Sequence, residues 1–102
     1  LPPYSYQMLL RARATHADHA QQFLQQAKQL AQKQLASDLQ IMGPLPSTME
    51  KRAGKFRAVV LFSANNRRSL SLGTADWLQQ LHRLPEARRV QWNLDIDPLE
   101  GI

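Results

Sequence analysis

Read for its apolar spacing, the chain alternates between two periods. From Tyr6 to Ala14 every second residue is apolar. Tyr6, Met8, Leu10 and Ala12 share one side, and Gln7, Leu9, Arg11 and Arg13 share the other. Alternation of that kind is a half-buried strand. From Ala17 to about Ala36 the spacing becomes helical, with Ala20, Phe23, Leu24, Ala27, Leu30 and Ala31 on one stripe and glutamines and lysines around the rest. Thr15, with Asp18 three residues later, is an imperfect capping box for that helix. Leu39 to Met42 reads as a short strand. Gly43-Pro44-Leu45-Pro46 should close it, because proline donates nothing to a ladder.

A third strand places Phe56, Ala58, Val60 and Phe62 opposite Arg57, Val59, Leu61 and Ser63. Asn65-Asn66 offers an N-cap to a second helix whose inner side is Leu70, Thr74, Trp77, Leu78 and Leu81. Gly73 weakens that helix and Leu84-Pro85 ends it. A fourth strand sets Val90, Trp92, Leu94 and Ile96 against Gln91, Asn93, Asp95 and Asp97.

The order is β-α-β-β-α-β, each element with a single strongly apolar side. A two-layer α+β sandwich satisfies all of them at once: a four-stranded antiparallel sheet with both helices on one face, in ferredoxin-like topology. The length of 102 residues makes this one domain, residues 1–102. The other face of the sheet then carries Gln7, Arg11, Arg13, Arg57, Gln91 and Asn93 among Leu9, Val59 and Leu61.

Charge changes the picture. The net charge is +5 and the isoelectric point near 10.3. Lys51, Arg52, Lys55 and Arg57 flank Gly54 in the connection between the second and third strands, and no acidic residue follows until Asp76. A run of cations is ordinarily a solvated loop. On a basic domain it is equally a phosphate-binding surface, to which Arg11 and Arg13 add. Arg67 and Arg68 stand in the first turn of the second helix, where the helix dipole disfavours cations and an anion would be welcome. The aromatics Phe56, Phe62 and Trp92 have the parity of the buried face, so base stacking on the sheet is not expected.

Other chemistry is thin. There is no cysteine, which excludes disulfides, thiolate zinc sites and cysteine nucleophiles, and fits a reducing compartment. Gly54-Lys55 lacks the remainder of a phosphate-binding loop, and no nucleophile elbow or zinc-hydrolase motif occurs. Asp95 with Asp97, or His16 with His19, are short of the ligands a metal site needs. No catalytic residue and no metal ligand is expected, and no run is long enough to span a bilayer. The opening Leu1-Pro2-Pro3, without an initiator methionine, reads as the start of a segment of a longer protein.

Four segments in order carry a resemblance: Leu1-Pro2-Pro3-Tyr4-Ser5 into a strand ending Leu10-Arg11-Ala12; Met42-Gly43-Pro44-Leu45-Pro46; Lys51-Arg52-Ala53-Gly54-Lys55-Phe56-Arg57; and Arg88-Arg89-Val90-Gln91-Trp92-Asn93-Leu94-Asp95-Ile96-Asp97-Pro98. Together they resemble the C-terminal domain family of primosomal protein N′ (PriA), the bacterial helicase of replication restart. The resemblance implies a non-catalytic module of a cytoplasmic, ATP-dependent 3′-to-5′ DNA helicase. ATP, magnesium and zinc would be held elsewhere in that parent and no cofactor in this segment. Its implied partners are forked or single-stranded DNA, other primosome proteins, and the acidic, phenylalanine-ended tail of the single-stranded DNA-binding protein. The family holds that tail with an arginine at the start of the second helix, which Arg67 matches, with Arg68 beside it. Some members carry a glutamine one turn later, where this chain has Ser71. Two other readings stand beside this one: a free-standing RNA-binding or ribosome-associated protein of the same fold, and a small metal enzyme using Asp95 and Asp97.

Overall fold

The structure is a computed structural model that describes residues 6–96, and of residues 47–52 the backbone alone. Its strands are β1 (Tyr6–Ala14), β2 (Gln40–Arg52), β3 (Lys55–Ala64) and β4 (Gln91–Ile96). They form one antiparallel sheet in the order β2-β3-β1-β4. The helical layer is α1 (Ala17–Gln34), α2 (Arg67–Ser71) and α3 (Thr74–Arg83), followed by a 3₁₀ turn over Pro85–Arg89. The topology is the two-layer sandwich that the alternating periods predict.

The core lies where the apolar faces meet. Met8, Leu10, Val60 and Phe62 of the central strands are fully buried against Phe23 and Leu24 of α1 and Trp77 and Leu81 of α3. Alanines at 12, 14 and 58 on the sheet and at 20, 27 and 31 on α1 are buried too. Small side chains at these points leave room for the bulky ones to interdigitate. Trp77 packs edge-on to Phe62 with ring centroids 5.2 Å apart, and its indole N–H donates to the Ala27 carbonyl at 3.0 Å. Phe23 and His82 flank the half-buried Trp92 at 5.4 and 4.7 Å. Gln34 and Gln80 exchange amide hydrogen bonds of 2.6 and 3.0 Å between α1 and α3.

Four local expectations are corrected. First, β2 does not stop at its prolines but runs on to Arg52. It is an edge strand, so Pro44 and Pro46 turn their missing N–H away from any neighbour's demand. The ladder slips between Met42 and Leu45 and again between Pro46 and Lys51. At the first slip Gly43 has φ +116°, its carbonyl accepts from Lys28 Nζ of α1 at 2.7 Å, and a Cβ there would sit 2.7 Å from the Val59 carbonyl oxygen. Gly43→Ala is therefore expected to cost about 1–3 kcal/mol through the backbone alone, read as a lower urea midpoint at unchanged slope.

Second, the basic segment is a tight hairpin rather than a loop. Arg52 pairs with Lys55 across the two-residue turn Ala53-Gly54, both at positive φ, +53° and +77°. Third, α1 opens at Ala17 with His16 as its N-cap and no capping side chain, so the Thr15–Asp18 box does not form. Fourth, the second helix is two pieces. Asn66 caps α2 by accepting from the Ser69 N–H at 2.8 Å, and the chain breaks at Gly73, φ +79°. There a Cβ would lie 2.9 Å from the Gln34 carbonyl oxygen, so close approach to α1 demands glycine. At the end of β4, Ile96 keeps the expected parity but is 57% exposed, beyond the cover of the helices. No helix among the described residues is long and apolar enough to cross a membrane.

Candidate nucleic-acid interface

Strand parity assembles the site. Residues directly opposite one another in an antiparallel sheet share a face. The pairs Arg11–Val59, Arg13–Arg57, Arg13–Gln91 and Arg11–Asn93 therefore put the basic positions of β1 and β3 together on the face that the helices leave open. Lys55, two residues before Arg57, has the same parity. Of the residues expected to contact nucleic acid, the structure brings Arg11, Arg13, Lys55 and Arg57 into one cluster. Lys51 and Arg52 are the last residues of β2 in the adjoining hairpin, and their side chains lie outside the described ones.

Two features of the cluster run against stability. Arg13 stands directly opposite Arg57, and like charges so placed repel. Arg57 is partly buried, and its Nε is shut off from solvent with no hydrogen-bond partner. An unmade bond of that kind costs about 1–3 kcal/mol. Asp95 is the one carboxylate on this face among the described residues, and it is engaged by Arg11 at 3.2 Å. Both partners are nearly half exposed, 45% and 42%, so that pair contributes about 0–1 kcal/mol. Among the described residues, the remaining cations find a hydrogen-bond partner in Gln91 alone. Its Oε1 accepts from Arg13 Nε at 2.7 Å and from Lys55 Nζ at 3.2 Å. A cavity of about 450 Å³ opens here, lined by Arg11, Arg13, Arg57, Gln91 and Asn93, with Val59 as its apolar wall.

Gln91 is the site residue that sequence reasoning placed on the face without giving it a role. Only strand parity could have pointed to it. Beyond the cavity the same face turns apolar: Met42, opposite Leu61, is 59% exposed, and Leu45, opposite Val59, is 45% exposed.

Arg67 and Arg68 are elsewhere. They begin α2, just past the end of β3 where Tyr6 pairs with Ala64. That is the other end of β1 from Arg13, about 24 Å away at the usual rise of a strand. The Arg67 guanidinium lies over the Tyr6 ring, 5.0 Å from its centroid. Arg68 is exposed, and Ser71 spends its hydroxyl on the Arg68 carbonyl at 3.3 Å. Ser69 donates to Asp38 at 2.8 Å. The structure therefore keeps two cationic sites apart.

For the metal readings, Asp95 is turned to Arg11, Asp97 lies outside the described residues, and His16 and His19 meet edge-on at 4.8 Å. No three metal-ligating side chains come together among the described residues.

A family model described as the primosomal protein N C-terminal domain matches residues 1–99. The replication restart protein PriA of Haemophilus influenzae is 33% identical over 98 residues, which are 96% of this chain and 13% of that protein. The chain thus spans a small part of the length of this relative. Among solved structures, the de novo designed protein Foldit4 matches 90% of this chain and 94% of its own, with a TM-score of 0.64 at 8% identity. Identity that low makes it a likeness of fold alone.

Proposed function

This chain belongs to the primosomal protein N C-terminal domain family, and from that premise we propose that it is the DNA-binding and partner-binding module of a bacterial replication-restart helicase. The observation that carries the reading is the open sheet face, where Arg11, Arg13, Lys55 and Arg57 face a single described carboxylate. Cations held together at a cost in stability are best explained by a polyanion that relieves them. By register Arg52, opposite Lys55, belongs to the same face, and Lys51 precedes it in the hairpin. The mode is capture of the sugar–phosphate backbone with little base readout, because Tyr6, Phe62 and Trp92 of the strands pack with the core under the helical layer.

In this reading residues 1–102 act as one C-terminal unit in the cytoplasm. ATP hydrolysis, magnesium and zinc belong to the rest of the helicase and none is held here. Arg67, with Arg68 beside it, takes the acidic tail of the single-stranded DNA-binding protein, and other primosome proteins gather on the same parent. Support for the second role is geometric: Arg67 is exposed, makes no ion pair among the described residues, and is braced on Tyr6 away from the DNA strip.

Fluorescence anisotropy with single-stranded, duplex and forked oligonucleotides at 50 and 200 mM salt tests the first role. Engagement of about four phosphates should weaken single-strand binding about fiftyfold between the two salts. Binding indifferent to salt would remove the electrostatic reading. Arg67→Ala should weaken an acidic, phenylalanine-ended peptide about tenfold and oligonucleotides by less than about twofold. Equal losses for both ligands would merge the two sites into one.

A further inference from the structure

We infer that the cavity between β1, β3 and β4 is a seat for one phosphate group, with Gln91 Oε1 marking the position of a phosphate oxygen. The inference deepens the DNA-binding reading of this face and rests on it for the source of the phosphate. Two cationic donors, Arg13 Nε at 2.7 Å and Lys55 Nζ at 3.2 Å, converge on that one neutral oxygen. A carboxamide oxygen satisfies their geometry but not their charge. A third cation, Arg57, stands directly opposite Arg13 and contributes a donor with no partner. The cavity volume of about 450 Å³ is ample for a phosphate and for the sugar on either side of it.

Arg11 is the third cation lining the cavity but is partnered by Asp95, so it closes the site rather than competing for the ligand. An entering phosphate oxygen takes the place of Gln91 Oε1 between Arg13 and Lys55. The Arg57 guanidinium turns out from beneath its neighbours to give its Nε proton to a second oxygen. Charge-assisted bonds to a phosphate are about twice as strong as the neutral ones they replace. The exposed Leu45 of β2, directly across from Val59, lies beside this seat on the neighbouring strand and offers the attached nucleoside an apolar floor.

The decisive variant is Gln91→Glu, which puts a carboxylate where the phosphate oxygen would sit. It should raise the thermal midpoint, since it supplies Arg13 and Lys55 with a counter-charge, so loss of binding cannot be blamed on misfolding. Single-strand affinity should fall about tenfold. Gln7→Glu adds the same charge at the far end of the same face and should change affinity less than twofold. In parallel, the Nε–H resonances of Arg13 and Arg57 in ¹⁵N-correlated NMR spectra are followed during titration with inorganic phosphate and with thymidine oligonucleotides bearing or lacking a terminal phosphate. Shifts of both resonances with every phosphate-bearing ligand support the seat. A response to internal phosphodiesters assigns it to the DNA backbone, and one confined to free and terminal phosphate assigns it to a strand end. Oligonucleotide binding that leaves both resonances unmoved and makes the two glutamate variants equal overturns the seat and leaves the DNA-binding reading standing. Phosphate binding without oligonucleotide binding does the reverse. No response to either ligand overturns both.

Discussion

Trp77→Ala is expected to lower the unfolding free energy by about 3–5 kcal/mol, the range for removing a large buried aromatic. Trp77 is fully buried, so nothing compensates from solvent. Its ring fills the space between Phe62 and the underside of α1, and its indole N–H ties α3 to the Ala27 carbonyl. Truncation leaves a cavity under the helical layer and also removes the bond. A domain of this size has about 5–15 kcal/mol in all, so the variant should be poorly folded at 37 °C. Trp77→Phe separates the two losses. It keeps most of the volume, removes the indole donor, and should cost about 1–2 kcal/mol. Urea unfolding followed by far-UV circular dichroism gives both numbers. A Trp77→Ala loss below about 1 kcal/mol would mean that the helical layer does not close on this residue.

The same residue shows why so much of the fold was legible. Trp77, Leu70, Thr74 and Leu81 fall on one helical stripe whether or not the helix is continuous, so burial was readable although the break was not. Gly73 announced weakness, but the reason for the break is the Gln34 carbonyl 2.9 Å from its missing Cβ, a contact between residues far apart in sequence. Strand β1 was plain because its two sides differ so sharply, Met8 and Leu10 against Arg11 and Arg13. Strand β2 was not. Pro44 and Pro46 break the local rule for a ladder, and only the edge position excuses them, which is a property of the whole sheet. The hairpin was hidden for a related reason, since its first positive-φ residue is Ala53 and not one of the residues that advertise such a turn.

The site divides in the same way. Parity alone put Arg11, Arg13, Arg57 and Gln91 on the open face. The opposition of Arg13 to Arg57 and the convergence of Arg13 and Lys55 on Gln91 depend on register between strands distant in sequence, and periodicity carries no register. The expectation that an anion would be welcome at the start of the second helix met a local fact as well. Asn66 already accepts from the Ser69 N–H, so that donor is taken before any ligand arrives.

The double variant Arg13→Ala/Arg57→Ala is expected to weaken single-stranded DNA binding about a hundredfold at 50 mM salt, because each arginine is assigned a charge-assisted bond to a phosphate group. The size of the loss matters less than how it varies with salt. Single strands lose about 0.7 in log–log slope for each phosphate released from contact. Both arginines serve the one phosphate of the seat, so removing them should flatten the slope by about 0.7, and the two binding curves should converge as salt rises. A general fall in net charge would weaken binding without that specific change. Lys33→Ala/Arg83→Ala takes the same two charges from exposed positions on α1 and α3, in the helical layer, and should leave the slope within about 0.3 of the parent. Lys51→Ala/Arg52→Ala/Lys55→Ala reports on the hairpin. A flattening of about 2 would make the hairpin a full participant, whereas about 0.7 would leave Lys55 as its only contact, through the donor it shares with Gln91. Relief of the Arg13–Arg57 opposition works in the other direction on stability, so the double variant of the open face should melt no lower than the parent. Binding lost while stability holds or rises is the signature of a surface shaped for a ligand. Equal slopes for the open-face pair and the helical-layer pair would deny the open sheet that role.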